Sequence, residues 1–302
     1  MDIKSKIAAR FKVIVRNKDD DFVVEETDWV DNLVLDTGLK RMSSGIWIDR
    51  CCVGTGTTEP LVTDTALTSF KSSTGNLIAA SGSAFAVSKP YYTANRLTFR
   101  LPVGASTGVI SEVGLGWDNT SLWNKCLLKN SLGVPTPVTV TANDYLDVLV
   151  ELRVYFQDDF SGTINLLNMD NSVASTHNYT GKMMFSTQYN YTLPFERIYS
   201  QMYVLDYSSN NNYAINSSHV YTMSENSYPT QTSYKGVLNI VKNEANAGHK
   251  LLQIVTNLGQ RIFQNQPLQG SGFKIELTPP IIKTNTMALQ HSFTLSWARY
   301  VA

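Results

Sequence analysis

Residues 11–24 read FKVIVRNKDDDFVV, and this stretch predicts a β-hairpin. Apolar Phe11, Val13 and Val15 recur at every second position, which is the period of a strand that buries one face. The polar run 17–21 that follows is typical of a turn, and apolar residues resume directly after it. The beginning of the chain is therefore expected in an antiparallel sheet. The alternative is that its first strand reaches a neighbouring subunit as an arm.

The same period of two recurs along most of the chain. Further strands are predicted at residues 97–101, 147–156, 163–167, 236–241, 273–277 and 292–297. Segments rich in Gly and Pro separate them, at 101–104, 133–137 and 278–280. Many short strands with such turns between them predict an all-β fold, mainly antiparallel, built from β-sandwich or jelly-roll-like layers.

Two short segments depart from this pattern and predict helices. In residues 31–42 the apolar side chains recur at helical spacing, Asp28 or Asp31 is available as the N-cap, and the small residues 43–45 end the helix. In residues 63–67 an Asp or Thr side chain could cap a single helical turn.

Composition changes near residue 156 and predicts two β domains. Beyond this point the chain is richer in Asn, Tyr and Ser, and residues 207–234 have few aliphatic side chains, which is typical of a long loop or exposed edge. We place the boundary in the polar run 157–159. Residues 1–156 then form an N-terminal β domain with a short helix, and residues 157–302 form a C-terminal β-rich domain. The two halves end on similar strands, so a diverged duplication is an alternative.

The overall composition limits the classes of partner. The 302 residues carry 25 basic and 25 acidic side chains, which gives no electrostatic reason to expect nucleic acid or an anionic membrane. Hydrophobic residues make up 43% and charged residues 17%, which indicates a folded chain whose surface is polar mainly through Asn, Ser and Thr. No apolar run reaches the roughly 20 residues that span a bilayer, and the first residues lack a secretory signal pattern. The three cysteines form no CxxC pair, so we expect reduced thiols in a chain made in a cytoplasm.

The glycine-rich segment 53–60, VGTGTTEP, raises the question of phosphate binding. A P-loop needs a lysine for the outer phosphates and a helix directly after the loop. This segment has no lysine, Glu59 would bring a negative charge to the phosphate position, and Pro60 removes a backbone donor. We therefore predict a tight structural turn in which Gly54 and Gly56 supply unusual backbone angles, with Pro60 in the same turn. No cofactor is expected.

No other motif in the sequence assembles a catalytic or metal centre. The four histidines lie at least 30 residues apart, and no GxSxG nucleophile motif occurs. Acidic residues at 19–21 and 158–159 fall in predicted turns. Solvated turn residues are the simpler interpretation there than a Ca²⁺ site or a pair of glycosidase carboxylates. We expect neither catalytic residues nor a metal.

Aromatic side chains offer one candidate binding surface. Tyr189 and Tyr191, in the run QYNY, could stack on sugar rings, as could the pair 91–92. Packing at strand edges and in the core is the competing interpretation, because aromatic residues favour strands in any case.

A series of motifs in the first half of the chain resembles a pattern common in tail proteins of tailed bacteriophages. It comprises Asn32-Leu33-Val34 with Gly38-Leu39, Val53-Gly54-Thr55-Gly56, Pro60 and Asp64-Thr65-Ala66-Leu67, and then residues 110–116, 127–129, 144–148 and 151–154. Each motif alone is degenerate, but their order and spacing over about residues 10–156 are fairly specific. The ending, residues 278–284 with 296–299, is also similar to endings of such proteins.

The resemblance implies a virion structural component: a tail fibre, fibre-adaptor or baseplate-associated subunit, homo-oligomeric and made in the cytoplasm of the host bacterium. It implies no enzyme and transfers no catalytic residue. The N-terminal domain would attach to the tail, and the C-terminal domain would contact another subunit, a fibre or the host surface. The expected partners are other copies of the chain and other tail or fibre proteins. In the alternative, a receptor- or glycan-binding module, residues 188–234 bind a host surface glycan. A polysaccharide-degrading enzyme is the third alternative.

Overall fold

Strands dominate the structure. The computed structural model describes residues 1–85, 88–185, 193–205, 220–221, 223, 225–258 and 271–301. Among the strands of these residues, only one pairing is parallel, and all the others are antiparallel. The prediction of an all-β, mainly antiparallel fold is confirmed.

The elements follow one another in this order. The strands up to residue 156 are β1 Asp2–Asn17, β2 Val23–Glu26, β3 Val30–Asp31, β4 Leu33–Val34, β5 Arg50–Gly54, β6 Phe70–Thr74, β7 Leu77–Phe85, β8 Tyr92–Leu101, β9 Gly108–Ile110, β10 Glu112–Asp118, β11 Ser121–Leu122, β12 Asn124–Leu127, β13 Val138–Val140 and β14 Asp144–Phe156. The later strands are β15 Phe160–Leu167, β16 Val173–Phe185, β17 Ser200–Leu205, β18 Val220–Tyr221, β19 Glu225–Ser227, β20 Ser233–Ile240, β21 Gly248–Thr256, β22 Ser271–Ile282 and β23 Leu289–Arg299. The helix α1, Asp36–Arg41, lies between β4 and β5.

β1 lies in the middle of a nine-stranded sheet. The order is β19-β20-β23-β1-β14-β8-β7, and β2 and β3 also pair with β1. β1 is antiparallel to β14 over residues 5–17 and parallel to β23 over residues 2–7. Ile3, Ile7 and Phe11, on one face of β1, are fully buried. The alternation in the sequence thus produces a sheet with one face in the core and one polar face, which we call the open face.

Two six-stranded sheets share the core with this large sheet. One contains β4-β12-β10-β5-β6 with β11, and the other contains β15-β16-β22-β21-β17-β18. Side chains of all three sheets belong to one apolar cluster, in which the rings of Phe156 and Phe273 meet edge to face at 5.3 Å. Cys51, Cys52 and Cys126 are buried and free, and burial raises the pKa of each thiol. The three thiols therefore behave as apolar core residues.

The hairpin predicted at residues 11–24 is confirmed, because β1 turns back into β2 and the two strands pair antiparallel. The alternative of an arm for a neighbouring subunit is wrong for this structure. β1 already has β14 along one edge, and β23, β3 and β2 in succession along the other. No length of β1 is left for a strand from another chain.

The helical predictions need correction. The helix spans only Asp36–Arg41 rather than 31–42, and its N-cap residue Leu35 makes no side-chain capping hydrogen bond. The residues before it form the short strands β3 and β4 instead, because β3 pairs with β1 and the two apolar residues of β4 pair with β12. Residues 63–67 form no helix but an irregular segment. No helix in the described ranges is long and apolar enough to cross a membrane.

The predicted boundary at 157–159 falls between β14 and β15, where Asp159 adopts a left-handed backbone angle of φ 52°. The nine-stranded sheet nevertheless includes strands from both sides of it, since β19, β20 and β23 join β1, β7, β8 and β14. The division into two domains stays a prediction. Much of the segment 207–234 lies outside the described residues. Within the described part, β19 (Glu225–Ser227) is an exposed edge strand of the large sheet, as one form of the prediction has it. Tyr234, at the end of the segment, is instead fully buried in β20.

Candidate functional site

The glycine-rich segment surrounds a carboxylate of the protein itself. Between β5 and β6 the chain runs through residues 55–69 and wraps around Glu112, the first residue of β10. The amide N–H groups of Gly56 and Ser69 donate to Glu112 Oε1 at 3.0 and 2.7 Å, and that of Thr68 donates to Oε2 at 3.0 Å. Glu112 is completely buried. Backbone amides do converge on an anion here, and that anion is a side chain.

The physical role of the two glycines differs from the one predicted. Neither Gly54 nor Gly56 has a positive φ, so the prediction of unusual backbone angles is wrong. They are needed for close approach instead: a Cβ on Gly54 would lie 2.4 Å from the Ser69 carbonyl oxygen, and one on Gly56 would lie 2.3 Å from Glu112 Oε1. The predicted tight turn is also wrong, because Gly54 is the last residue of β5 and Pro60 lies within a long connection.

A buried lysine completes this cluster. Lys125 in β12 is 2% exposed, and its Nζ lies 3.4 Å from Glu112 Oε2 and 3.1 Å from Asp64 Oδ2. The same ammonium donates to Thr68 Oγ1 at 2.6 Å. Asp64 also accepts a hydrogen bond from the amide of Leu61, at 3.1 Å. The cluster of Glu112, Lys125, Asp64 and Thr68 therefore fixes the long connection onto the sheet from several points.

Other residues of the phage-like motif are also engaged in internal contacts. Asn32 Oδ1 accepts from the amide of Ala9 at 2.7 Å, which ties the motif to β1. Gly38 packs so closely on Trp123 that a Cβ would lie 2.2 Å from its carbonyl oxygen. The carbonyl of Thr65 accepts from a backbone amide of β11 at 2.8 Å. These three motif residues thus hold neighbouring parts of the fold together, and Asn32 also lines a pocket of about 260 Å³ together with Pro60 and Lys129.

The open face of the large sheet carries a second polar cluster. Glu151 in β14 is 2% exposed and contacts three guanidinium groups: Arg10 at 3.0 Å, Arg96 at 2.7 Å and Arg153 at 2.6 Å. Burial alone would raise the pKa of Glu151, but hydrogen bonds from the three arginines outweigh it and lower the pKa to about 2. Three arginines share Glu151, and Asp31, which faces Arg10 in the pairing of β1 with β3, is a second acid nearby, so three positive charges meet two negative ones.

A pocket of about 460 Å³ opens beside this cluster. Its aromatic lining consists of two stacked pairs, Phe85 with Tyr92 at 5.3 Å and Tyr155 with Tyr300 at 3.9 Å between ring centroids. Arg10 and Arg153 line the same pocket, and the Arg153 guanidinium lies 4.8 Å from the Tyr92 ring centroid. The Arg10 Nε atom is buried and has no hydrogen-bond partner among the described residues. The arginine pocket defined by these six residues is suited to an anionic ligand with a flat or ring-shaped part.

The two pairs of tyrosines that the sequence offers as sugar contacts lie in different parts of the chain, and the structure describes only one pair. Tyr189 and Tyr191 lie outside the described residues, so their role stays a prediction. Tyr92, of the pair 91–92, does line the arginine pocket. Sequence reasoning missed the pocket itself, because its arginines belong to strands far apart in the chain.

The acidic side chains of these two segments contact other groups of the protein. Asp20 accepts from the amide of Phe22 at 3.1 Å, Asp158 accepts from the amide of Met183 at 2.8 Å, and Asp159 pairs with Lys89. No group of three or more potential metal-binding side chains occurs in the part of the chain that the structure describes. Residues 18–20 form a turn, whereas Asp158 and Asp159 lie in the connection between β14 and β15.

Two histidines that are distant in sequence meet in the core. His249 Nδ1 and His291 Nε2 lie 3.2 Å apart, and both side chains are buried. Burial, with a smaller contribution from His249, lowers the pKa of His291 to about 3. His177 instead contacts the carbonyl of Pro279, and His219 lies outside the described residues. The sequence gives no sign of this pair, because β21 and β23 belong to different sheets.

We also compared the chain with known proteins. It matches no protein-family model, no curated protein and no solved structure.

Proposed function

We propose that the chain is a non-enzymatic structural component of a tailed-bacteriophage virion, a tail fibre, fibre-adaptor or baseplate-associated subunit that assembles through protein contacts. Its place in the cell is then the cytoplasm of the infected bacterium, followed by the tail of the particle. The N-terminal half would attach to the tail, and the C-terminal half would contact a further subunit, a fibre or the host surface.

The observation that carries this proposal is the use of the motif residues. The motif on which the phage resemblance rests contributes Gly54, Gly56 and Asp64 to the cluster around Glu112. All of these contacts are internal, and the amides of the connection already hold a carboxylate. A motif used in this way specifies a building block, which is what a structural subunit requires.

The polar character of the surface supports the same function. Assembly through protein contacts loses less free energy when few charges are desolvated, and only 17% of the residues are charged. The open face keeps its charges in bidentate or shared pairs, such as Arg100 with Asp147 at 2.7 and 2.8 Å. Such pairs leave few isolated charges to strip of water at an interface.

The proposal is tested on phage particles whose genome encodes this chain. Purified particles are analysed by mass spectrometry and imaged with a gold-labelled antibody against the chain. We expect the chain in washed particles and the label on the tail. A chain that is abundant in the infected cell but missing from intact particles would contradict the proposal.

One observation favours the alternative of a glycan-binding module. The arginine pocket combines aromatic rings with surplus positive charge, which suits a saccharide that bears a carboxylate. In this alternative Arg153 binds the carboxylate and Tyr92 stacks on a sugar ring.

A glycan array with matched neutral and acidic saccharides tests the alternative. We compare the wild type with Arg153→Gln, which leaves Glu151 two arginine partners, and with the control Arg100→Gln, which lies on the same face outside the pocket. The alternative requires binding of acidic saccharides that only the Arg153 variant loses. Equal losses in both variants, or no binding at all, would exclude this pocket as a glycan site.

A further inference from the structure

β7 forms one end of the nine-stranded sheet and has an open edge. Its sequence is LIAASGSAF, residues 77–85, and it pairs only with β8 among the described strands. Every second residue of an antiparallel edge strand directs its N–H and C=O away from its partner. In β7 this leaves about four residues whose backbone groups are free to pair with another strand.

From Ala79 onward the edge lacks two of the features by which proteins usually prevent pairing, charge and proline. Edge strands are commonly protected by Lys, Pro, a bulge or a covering element. β7 contains no charged residue and no proline, and its one irregularity lies between Leu77 and Ala79. From Ala79 to Phe85 it pairs regularly with β8, and most of these side chains are exposed on both faces. A seven-residue neutral edge of this kind is a ready template for a further strand.

Exposed apolar side chains also occur on β7 and on the strand before it. β6 is the outermost strand of the neighbouring sheet and is joined to β7 by only two residues. Phe70 in β6, and Ile78 and Phe85 in β7, are 42%, 43% and 40% exposed. The end strands of the two sheets are thus joined by a short connection, and each carries an exposed aromatic side chain, Phe70 in β6 and Phe85 in β7.

We propose that β7 pairs antiparallel with β7 of a second copy of this chain, about a two-fold axis at Gly82. The regular segment Ala79–Phe85 has Gly82 as its midpoint, so an axis there pairs the whole segment with itself. In this register Ala79 faces Phe85, Ala80 faces Ala84, and Ser81 faces Ser83 of the second copy.

The lack of charge is what selects a second copy as the occupant. In a two-fold contact the same surface patch meets itself, so any charge on the strand meets an equal charge near the axis. A neutral strand avoids this repulsion, whereas a foreign partner would gain steering and specificity from charges. The inference deepens the proposed function and rests on it for its biological meaning, because it names one contact through which the subunit assembles.

The test measures molecular mass by sedimentation over a range of concentrations. Wild type is expected to reach about twice its monomer mass of 33.6 kDa. The variant Ser81→Lys/Ser83→Lys places two lysine pairs across the axis, and we expect it to remain a monomer at a concentration at which wild type is dimeric. The matched variant Ser81→Lys/Ser83→Glu places each lysine opposite a glutamate of the second copy. It is expected to dimerise at least as well as wild type at low salt, and melting curves check that all three proteins are folded.

Each other outcome overturns the inference. Wild type that stays monomeric at roughly 100 µM has no self-association of the strength an assembly contact requires. A double-lysine variant that still dimerises holds its copies through another surface. A Lys/Glu variant that is monomeric excludes the two-fold register at Gly82 and points to a strand from a different protein.

The inference and the proposed function fail in different experiments. A chain present on phage tails but monomeric in solution, with unchanged particles from the double-lysine mutant, would contradict the inference alone. A chain that dimerises through β7 but is missing from particles would contradict the proposed function alone.

Discussion

Replacing Lys125 with methionine removes the only cation of the buried cluster defined above and leaves the carboxylates of Glu112 and Asp64 without a cationic partner. Glu112 is fully buried and faces Lys125 Nζ at 3.4 Å, while Asp64 faces it at 3.1 Å. The methionine side chain is about as long as that of lysine but is apolar and uncharged, so the substitution fills the space without the charge. The variant therefore isolates the electrostatic contribution of the lysine.

The size of the effect follows from the surroundings of the two carboxylates. Removing one partner of a buried ion pair costs about 3–5 kcal/mol. The lower end applies here, because Asp64 is 25% exposed and can regain water, and Glu112 keeps its three backbone N–H donors. We expect a loss of about 3 kcal/mol, which at about 2 °C per kcal/mol for a chain of this size lowers the Tm by about 6 °C.

The matched control is Lys129→Met. Lys129 pairs with Glu59 of the same connection at 2.7 Å, but Glu59 is 62% exposed, so its loss costs less than about 1 kcal/mol. Calorimetry gives the two Tm values, and hydrogen exchange reports whether the amides of residues 55–69 become less protected in the Lys125 variant alone. A Tm for Lys125→Met as high as that of Lys129→Met would refute the assignment of the cluster as the anchor of this connection.

Three further perturbations have defined outcomes. Gly56→Ala should destabilise the fold by about 1–3 kcal/mol, because the new Cβ would overlap the buried Glu112 carboxylate. In the control Gly248→Ala the nearest contact of the new Cβ is at 3.4 Å, so the loss should be less than about 1 kcal/mol. Equal denaturant midpoints for the two variants would contradict the close-approach argument. Because the pKa of Glu151 is lowered from 4.5 to about 2, the unfolded state binds more protons below pH 4.5, and wild type should lose stability as the pH falls from there to about 2. Glu151→Gln should flatten that part of the stability curve, and an unchanged slope would count against the arginine contacts. The pKa of His291 is lowered from 6.5 to about 3, so wild type should lose stability as the pH falls between these values, and His291→Phe should lose less. Denaturant titrations at several pH values measure both curves. Identical curves would show that His291 does not remain neutral in the fold.

The strands could be predicted from the sequence because their signal is local. Phe11, Val13 and Val15 alternate with other residues because they lie on the face of β1 that is buried in the core. That face can be recognised from the sequence without knowing which strand pairs with β1. The helix predicted over residues 31–42 is longer than the observed one, because a local signal does not show which short apolar runs pair as strands. A short apolar run such as Leu33-Val34 fits a helix face or a paired strand equally well, and only the pairing with β12 decides between them.

The candidate site could be predicted only in part. The glycines at 54 and 56 were recognisable as structural, but Gly56 is needed because of a carboxylate more than 50 residues away in the chain, and Gly54 because of the Ser69 carbonyl on the next strand connection. The one local signal was a charged residue inside an otherwise apolar run, at Glu112 and again at Lys125. A buried charge needs a partner, so such residues predict that a cluster exists without identifying its members. Contacts such as Glu151 with its three arginines require the strand order, which periodicity does not contain.

The side-by-side position of β1 and β23 has a consequence for how the protein is made. Met1 donates to the carbonyl of Ser292, a contact between residues separated by 291 positions. During synthesis on the ribosome, the first half of β1 must wait for one neighbour until β23 has emerged. A prematurely terminated chain keeps that edge unpaired in the middle of its largest sheet and is prone to aggregate. The sheet can therefore be closed only in chains that contain residues 289–299, because the parallel partner of β1 comes from that segment.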